Sequence, residues 1–571
     1  MADGVANVEA EAAAEVDVVV VGLGAAGGLA ASRLALAGLT VCGLDAGGRY
    51  EAGQFTVDEL ANDRRHWLVG KKAAAEVPTV RATRQQTAAR PVFHQLMMNG
   101  IGGSKIHSGC GSTRLMSWHF TQRSSTIDRY GPSALPEGSC VVDWPYGYDE
   151  LEPYYDQVER MFGVAGEAGA NRFEAPRSGP YPMPPLRRTG WTRLMDATAR
   201  ELGWHPFPPP AAVNSQPYGG RPACTYCGNC THNGCWTGAK GLVSLEGLPA
   251  AEASGNLRVV TGARVVEILT DGDGRASGVV YLKDGRRHQQ RAAVVLLASF
   301  VYEVVRLLLL SGTTRHPDGL GNNTGQVGRY FSAHALRLTW GEFGGREMNT
   351  WSGATSQATA VDDFNADNFD HAGLGFIGGG RLAAGMEKKL LMAARRPPPG
   401  VGRWGAGYKR WLAEELRSMT SIAVTTEELP HENAYVDLDP THVDADGFPV
   451  ARVTRDWIDN DRRLAAFLRA RAEQWLTAAG ATRVWHSPDV VQNVVAHAYG
   501  GTRMGLDPAS SVVDPWGFCH DVANLGILGP STFPSSTGLA PVLTIEATAL
   551  RTADHLLKNW DCVSGGQGPG R

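Results

Sequence analysis

Apolar positions along this chain come in two rhythms, unbroken β-branched runs and helical spacings, and they alternate most clearly at the start. Residues 18–21 form a continuous valine run, the pattern of a strand covered on both faces. Leu29, Leu34 and Leu36 then recur at helical spacing. A second apolar run, residues 39–44, closes on Asp45. The prediction is strand, helix, strand. The greasiest stretch, AAVVLLASFVYEVVRLLLL from Ala292, contains Glu303 and Arg306 and divides into a strand-like and a helix-like half, which makes it a poor membrane span. Pro541 suits a first helical position, so the last long helix is predicted to begin there. Residues 395–405, RRPPPGVGRWG, read as a surface loop or a lid.

Composition narrows the class only a little. A length of 571 residues suggests several domains. Hydrophobic content of 43% with 20% charged residues is that of an ordinary globular protein. A net charge of −4 gives no reason to expect nucleic acid or anionic lipid as a partner. The first residues, MADGVANVEAEAAAEV, lack a basic region followed by an apolar one, so no signal peptide is read there and a cytoplasmic location is expected. Four of the nine cysteines crowd between Cys224 and Cys235. The others are scattered, and no disulfide framework is implied.

Between the first strand and helix, Gly22, Gly24 and Gly27 form a G-x-G-x-x-G turn, with Asp45 ending the second strand. A turn so placed lets a helix N-terminus hold a pyrophosphate while a carboxylate grips a ribose 2′-hydroxyl. The bland alternative is a glycine-rich turn with no ligand, which the strand–turn–helix context disfavours. The turn alone does not separate FAD from NAD.

The next glycine stretch, GIGGSKIHSGCGSTRLMSWHF at residues 100–120, resembles the flavin-contacting segment of the glucose–methanol–choline (GMC) oxidoreductases. DWPYGYDELEPYYDQVERMFGVAG from Asp143 resembles the start of the substrate domain in that family's bacterial sugar and sugar-acid dehydrogenases. TGARVVEIL with GRASGVVYL resembles the strand pair bordering the adenosine. LLASFVYEVVRLLLLSG resembles the second family signature, with Phe300 where glycine is usual, and AHAYGGTRMG and TGLAPVLTIEATALRTADHL resemble the C-terminal active-site segment. The resemblance implies a mixed α/β GMC fold in which a Rossmann-like FAD domain (roughly residues 1–145, 222–330 and 490–560) interleaves with an antiparallel-sheet substrate domain (146–221 and 331–489), leaving a tail at 561–571. GFPVARVTRDW and a helix from about Asp456 to Ala479 would belong to the latter. It implies FAD as cofactor, held by Gly22, Gly24, Gly27, Asp45, Gly102, Gly103, Ser104, His107, Val265 and Pro541.

Alcohol oxidation by a flavin needs a base for the hydroxyl proton and positive charge near the reduced ring. The resemblance places that base at His497, seven residues before Met504, and neutral imidazole suits the role. The helix beginning at Pro541 would aim its N-terminal dipole at the flavin. The family's second polar group, Asn or His, falls at Ala540, which can neither donate nor accept through its side chain. Either Thr537, Ser536 or a residue of the other domain takes over, or His497 acts alone. Glu546 reads as an unusual partner or as a surface or capping residue. His107 matches a histidine that in some sugar oxidases is bonded to the flavin. It would either carry such a bond or pack against the ring.

Cys224, Cys227, Cys230 and Cys235 follow C-x2-C-x2-C-x4-C, near the ferredoxin run but with one residue more and no following proline. In relatives resembling fructose, glucose and gluconate dehydrogenases a loop at this place holds a three-iron, four-sulfur cluster in some cases, while other relatives manage without one. An iron–sulfur site, bare thiols and zinc all stay open. The expected function is oxidation of a CH–OH group of a polar, sugar-like substrate: a sugar, glycoside, sugar acid or aminoglycoside. The polar segment 347–368 supports this, and oxygen or a redox-partner protein would accept the electrons. The rivals are a sterol oxidase of the same family and a flavin electron-transfer subunit with a degenerate alcohol site.

Overall fold

The valine run at the start of the chain lies in the middle of a seven-stranded sheet. In the computed structural model, which describes residues 11–60, 77–90, 97–228, 230, 232–385, 390–488 and 497–566, strand Glu11–Val21 is flanked by Val41–Asp45 and Arg286–Leu297. Both pairings are parallel, with Val18 opposite Val41 and Val294. Leu257–Thr261 extends the sheet beyond Val41–Asp45, and Leu525–Ile527 adds in parallel to Arg286–Leu297. Ala276–Lys283 and Arg264–Thr270 finish the other edge antiparallel, the strand pair expected from TGARVVEIL and GRASGVVYL. Val18, Val19 and Val20 are fully buried, as a strand covered on both faces requires.

Helix Ala25–Leu36 follows the glycine turn and packs against the last long helix, Val542–Lys558. Pro541 sits at the cap of that helix, one place before its first turn. The greasy stretch divides as its pattern suggests, with strand Arg286–Leu297 ending before helix Val301–Leu310. Among the described residues no helix is long and apolar enough to cross a membrane.

The second sheet is antiparallel. Its order is Arg483–His486, Ser332–Glu342, Met419–Glu427, Gly380–Ala384, Thr359–Val361 and Pro206–Phe207. Helix Asp459–Ala478 closes one face with Leu464, Leu468, Trp475 and Leu476, all fully buried at helical spacing. A short strand, Ala498–Tyr499, pairs with the start of Ser332–Glu342, Ala498 facing Ala333 and Tyr499 facing Ser332. That pairing joins the C-terminal segment to the second sheet. A third, small sheet joins Tyr435–Val443 and Pro449–Thr454 to Thr79–Arg81, which comes from the early chain.

Candidate active site

One cavity of about 1080 Å³ runs from the first glycine turn, between the two large sheets, to the loop at residues 395–403. Gly22 and Gly24 line it, as do Asp45, Gly103, Ser104 and His107 from the early chain and Val265, His497 and Pro541 from later segments. Residues more than 500 positions apart thus share one wall. Gly27 and Gly102 do not line it but let its backbones close. A Cβ on Gly27 would lie 1.9 Å from the carbonyl oxygen of Gly22 and 2.7 Å from the Ala298 Cβ. Gly102 has φ 95°, and its N–H donates to the Leu23 carbonyl at 2.8 Å, tying the second glycine segment to the first.

The end nearest the turn is made for an anion. Helix Ala25–Leu36 has Gly24 at its cap, no side chain on its first N–H groups and no acid in its first turn, which leaves donors and a positive dipole end facing the cavity. Asp45 accepts from the Leu23 N–H at 2.9 Å through one oxygen and from the Gly47 N–H at 2.8 Å through the other. The carboxylate is therefore fixed by backbone before any ribose reaches it. Helix Val542–Lys558 likewise has no side-chain cap and no acid in its first turn, and Val542 and Ile545 line the cavity.

Lys105 and Glu546 form a buried ion pair, with the Lys105 ammonium 3.7 Å over the Phe162 ring. Glu546 is fully buried, so neither a surface nor a capping role holds for it, and it pairs with Lys105 instead of His497. Burial pushes its carboxyl up and Lys105 pulls it back down. The pair pins the 100–107 segment to the last helix.

His497 meets a residue that the sequence reading did not single out. His334, on strand Ser332–Glu342, has its Nε2 against His497 Nδ1, with ring centroids 4.2 Å apart and planes at 83°. The cause is the short strand pairing, which also lets the His334 N–H donate to the His497 carbonyl at 3.2 Å. The Nδ1 of His334 contacts the Thr537 carbonyl oxygen at 3.0 Å. Burial drives the His497 pKa down to about 4. It holds His334 well below the ordinary histidine value too, and the neighbouring His497 adds to that. Both rings are neutral at pH 7. Thr537 contributes its backbone and Ser536 is spent on Glu428, so neither hydroxyl replaces the group missing at Ala540. The sequence offers a residue of the other domain as one alternative, but no spacing ties His334 to His497.

The cysteine loop borders the cavity through His232, whose ring lies 6.5 Å from that of His107. All nine cysteines are free thiols. Burial raises the Cys224 pKa to about 12, with the three other loop thiols adding to the rise, so the four are electrostatic neighbours. Their sulfurs are nonetheless engaged within the loop: Cys224 accepts from the Tyr226 N–H at 3.4 Å, Cys227 from the Trp236 indole at 3.4 Å, and Cys235 contacts the Thr237 hydroxyl at 3.2 Å. Among the described residues no three His, Cys, Asp or Glu side chains are grouped to hold a metal. The described residues of the loop thus give no support to an iron–sulfur cluster or zinc. The surroundings of His107 give no support to a covalent bond with a cofactor.

The segment 347–368, which suggested a polar substrate, is mostly structural. Asp362 is held by Arg381 and Asn171, and Thr355 alone of that segment lines the cavity among the described residues. The polar lining of the cavity comes instead from other segments, among them Arg337, Arg395, Arg396, Arg403 and Arg455, beside Trp457 and Trp485. The 395–403 loop is thus a wall of the site.

A family model described as GMC oxidoreductase matches residues 143–335, and a second with that description matches 430–549. The gluconate 2-dehydrogenase flavoprotein of Pantoea cypripedii is 32% identical over 95% of this chain and 94% of its own. Paromamine 6′-oxidase of Streptomyces fradiae is 30% identical over 94% and 90%. Among solved structures, pyridoxine 4-oxidase from Mesorbium loti superposes with a TM-score of 0.62 at 16% identity, covering 95% of this chain and 99% of that one, a likeness of fold.

Proposed function

The chain belongs to the GMC oxidoreductase family, and from that premise we propose that it is an FAD-dependent enzyme oxidising a CH–OH group of a sugar-like substrate, with His497 as the base. The observation that carries this reading is the placement of His497 in the cavity that also holds Gly22, Gly24 and Ser104. Two uncapped helix N-termini and the fixed Asp45 carboxylate fit a dinucleotide whose diphosphate and ribose lie at the glycine turn. FAD, when bound, supplies the hydride acceptor. The protein does the rest: the cavity wall positions the hydroxyl, and neutral His497 takes its proton. The N-terminus of helix Val542–Lys558 offers positive potential where charge accumulates. Anaerobic bleaching of the yellow protein by D-gluconate, D-glucitol or paromamine tests the reading, and a flavin that none of them or other polyols reduces would overturn it.

The arginine-lined end favours a substrate bearing a carboxylate. Asp45 and Glu303, the acids lining the cavity among the described residues, belong to the first sheet and the helix after it. Across the cavity Arg455 is paired to Glu428, and Arg337 lies over Trp457 at 4.9 Å. D-gluconate is therefore expected to reduce the flavin with a kcat/KM at least about tenfold above that of D-glucitol, a margin that shrinks as salt is raised. Paromamine, a polycation, should be slower than both. Equal values for all three at low salt would refute a charge preference.

For the cysteine loop we propose a thiol-only role. All four thiols should titrate in protein purified anaerobically with iron supplied, and stoichiometric iron with acid-labile sulfide would contradict this.

A further inference from the structure

Ala540 leaves the site without the second polar side chain that the family's pattern places there, yet the segment around it still reaches the histidine pair. The link is the Thr537 carbonyl. A carbonyl oxygen only accepts, so the His334 Nδ1 that contacts it at 3.0 Å carries the hydrogen. A neutral imidazole has one N–H, which leaves His334 Nε2 with a lone pair. That lone pair faces His497 Nδ1, and the contact is a hydrogen bond only if His497 donates. His497 is then the Nδ1–H tautomer, and its remaining nitrogen, Nε2, has the free lone pair that a base requires.

We propose that His334 is the positioning residue of this site: it fixes His497 in the tautomer whose Nε2 accepts the substrate proton and stabilises the imidazolium that forms. The proposal rests on the reading of His497 as base. In the step concerned the substrate O–H bond breaks, its proton ends on His497 Nε2, and the carbinol hydride leaves to FAD. The His497 Nδ1–H bond to His334 then becomes charge-assisted and strengthens. Thr537 is itself held, since its hydroxyl donates to the Leu539 carbonyl at 3.1 Å and accepts from the Leu539 N–H at 3.2 Å.

The other titratable groups facing the pair keep one charge state across the acid limb. Tyr499, whose hydroxyl lies 3.5 Å from His334 Nδ1, has its pKa raised by burial. Glu427, opposite His334 across the sheet, is pushed up to about 8 by burial and is protonated at pH 7. Arg455 adds a positive charge that disfavours protonation of His334.

Two variants of the full-length holoenzyme test this, read by anaerobic flavin reduction with the fastest of D-gluconate, D-glucitol and paromamine. His334→Leu removes the acceptor, and the rate should fall on the order of 10- to 100-fold with KM changed little, as for loss of a group that orients a catalytic histidine. Its acid limb should move to lower pH, because the imidazolium has lost its partner. His334→Gln can accept from His497 through its carbonyl and should recover most of the rate and the limb. A purely structural role would instead lower FAD content in both variants and leave the limb in place. An FAD-loaded His334→Leu enzyme with wild-type rate, or a glutamine variant as slow as the leucine one, overturns the proposal. If His497→Ala also reduces at full speed, the reading of the base has failed. If only the His334 variants do, this inference alone has.

Discussion

Replacing His497 with alanine is expected to slow flavin reduction at least about a hundredfold while the protein stays yellow, since positioned acid–base catalysis contributes about 10²- to 10⁴-fold. The residue touches the cavity, its backbone is set by the strand pair Ala498–Tyr499 with Ser332–Ala333, and its ring meets His334. Alanine keeps that backbone and removes only the imidazole. The pH profile gives a companion check. Burial sets the wild-type histidine pKa near 4, so the base is unprotonated above that value, and activity should fall as pH drops through it rather than through 6.5. Stopped-flow absorbance of FAD-loaded variant and wild type reads both effects. Near-normal reduction by the variant would remove His497 from the mechanism.

The other large effect is on cofactor retention. Gly24→Val should yield folded, colourless protein. A Cβ at Gly24 would be 3.7 Å from the Gly103 Cα, an ordinary contact, so the chain itself has room for a Cβ there. What valine fills is the space between two glycine segments in front of the first helix N-terminus, where a diphosphate must approach backbone N–H groups. Gly27 makes a useful contrast: its added Cβ would collide with the Gly22 carbonyl, so loss of flavin there would report damaged packing. Circular dichroism of wild-type character combined with absent flavin absorbance is the expected result for Gly24→Val, and a fully loaded yellow variant would contradict the assignment.

The sequence was most legible where the chain obeys one local rhythm. Residues 18–21, the glycine turn and helix Ala25–Leu36 follow from a buried strand, a turn that only glycine allows, and helical leucine spacing. The helix expected from about Asp456 forms from Asp459, since its apolar spacing runs unbroken to Trp475 and Leu476. The functional pairings were less legible because they are long-range. His334 and His497 are 163 positions apart, and what joins them is a two-residue strand with no periodicity to read. Glu546 read as an unusual partner of the base or as a surface or capping acid, because its actual partner, Lys105, lies 441 positions earlier. In the cysteine loop the spacing left a cluster, bare thiols and zinc all open, because coordination depends on side-chain direction and spacing does not encode it.

The strand order of the first sheet carries a consequence for biosynthesis. Its central strand, Glu11–Val21, is made first, yet its neighbour Arg286–Leu297 is translated only after half the chain, and Leu525–Ile527 and the closing helix come last. The early glycine turn therefore leaves the ribosome without the walls that complete it, and the nascent chain carries a valine-rich edge unpaired on one side for about half of its synthesis. Such an edge stays open to wrong strand pairing until residues 286–297 have been made, so the order of synthesis exposes this sheet to misfolding in a way the finished fold does not show.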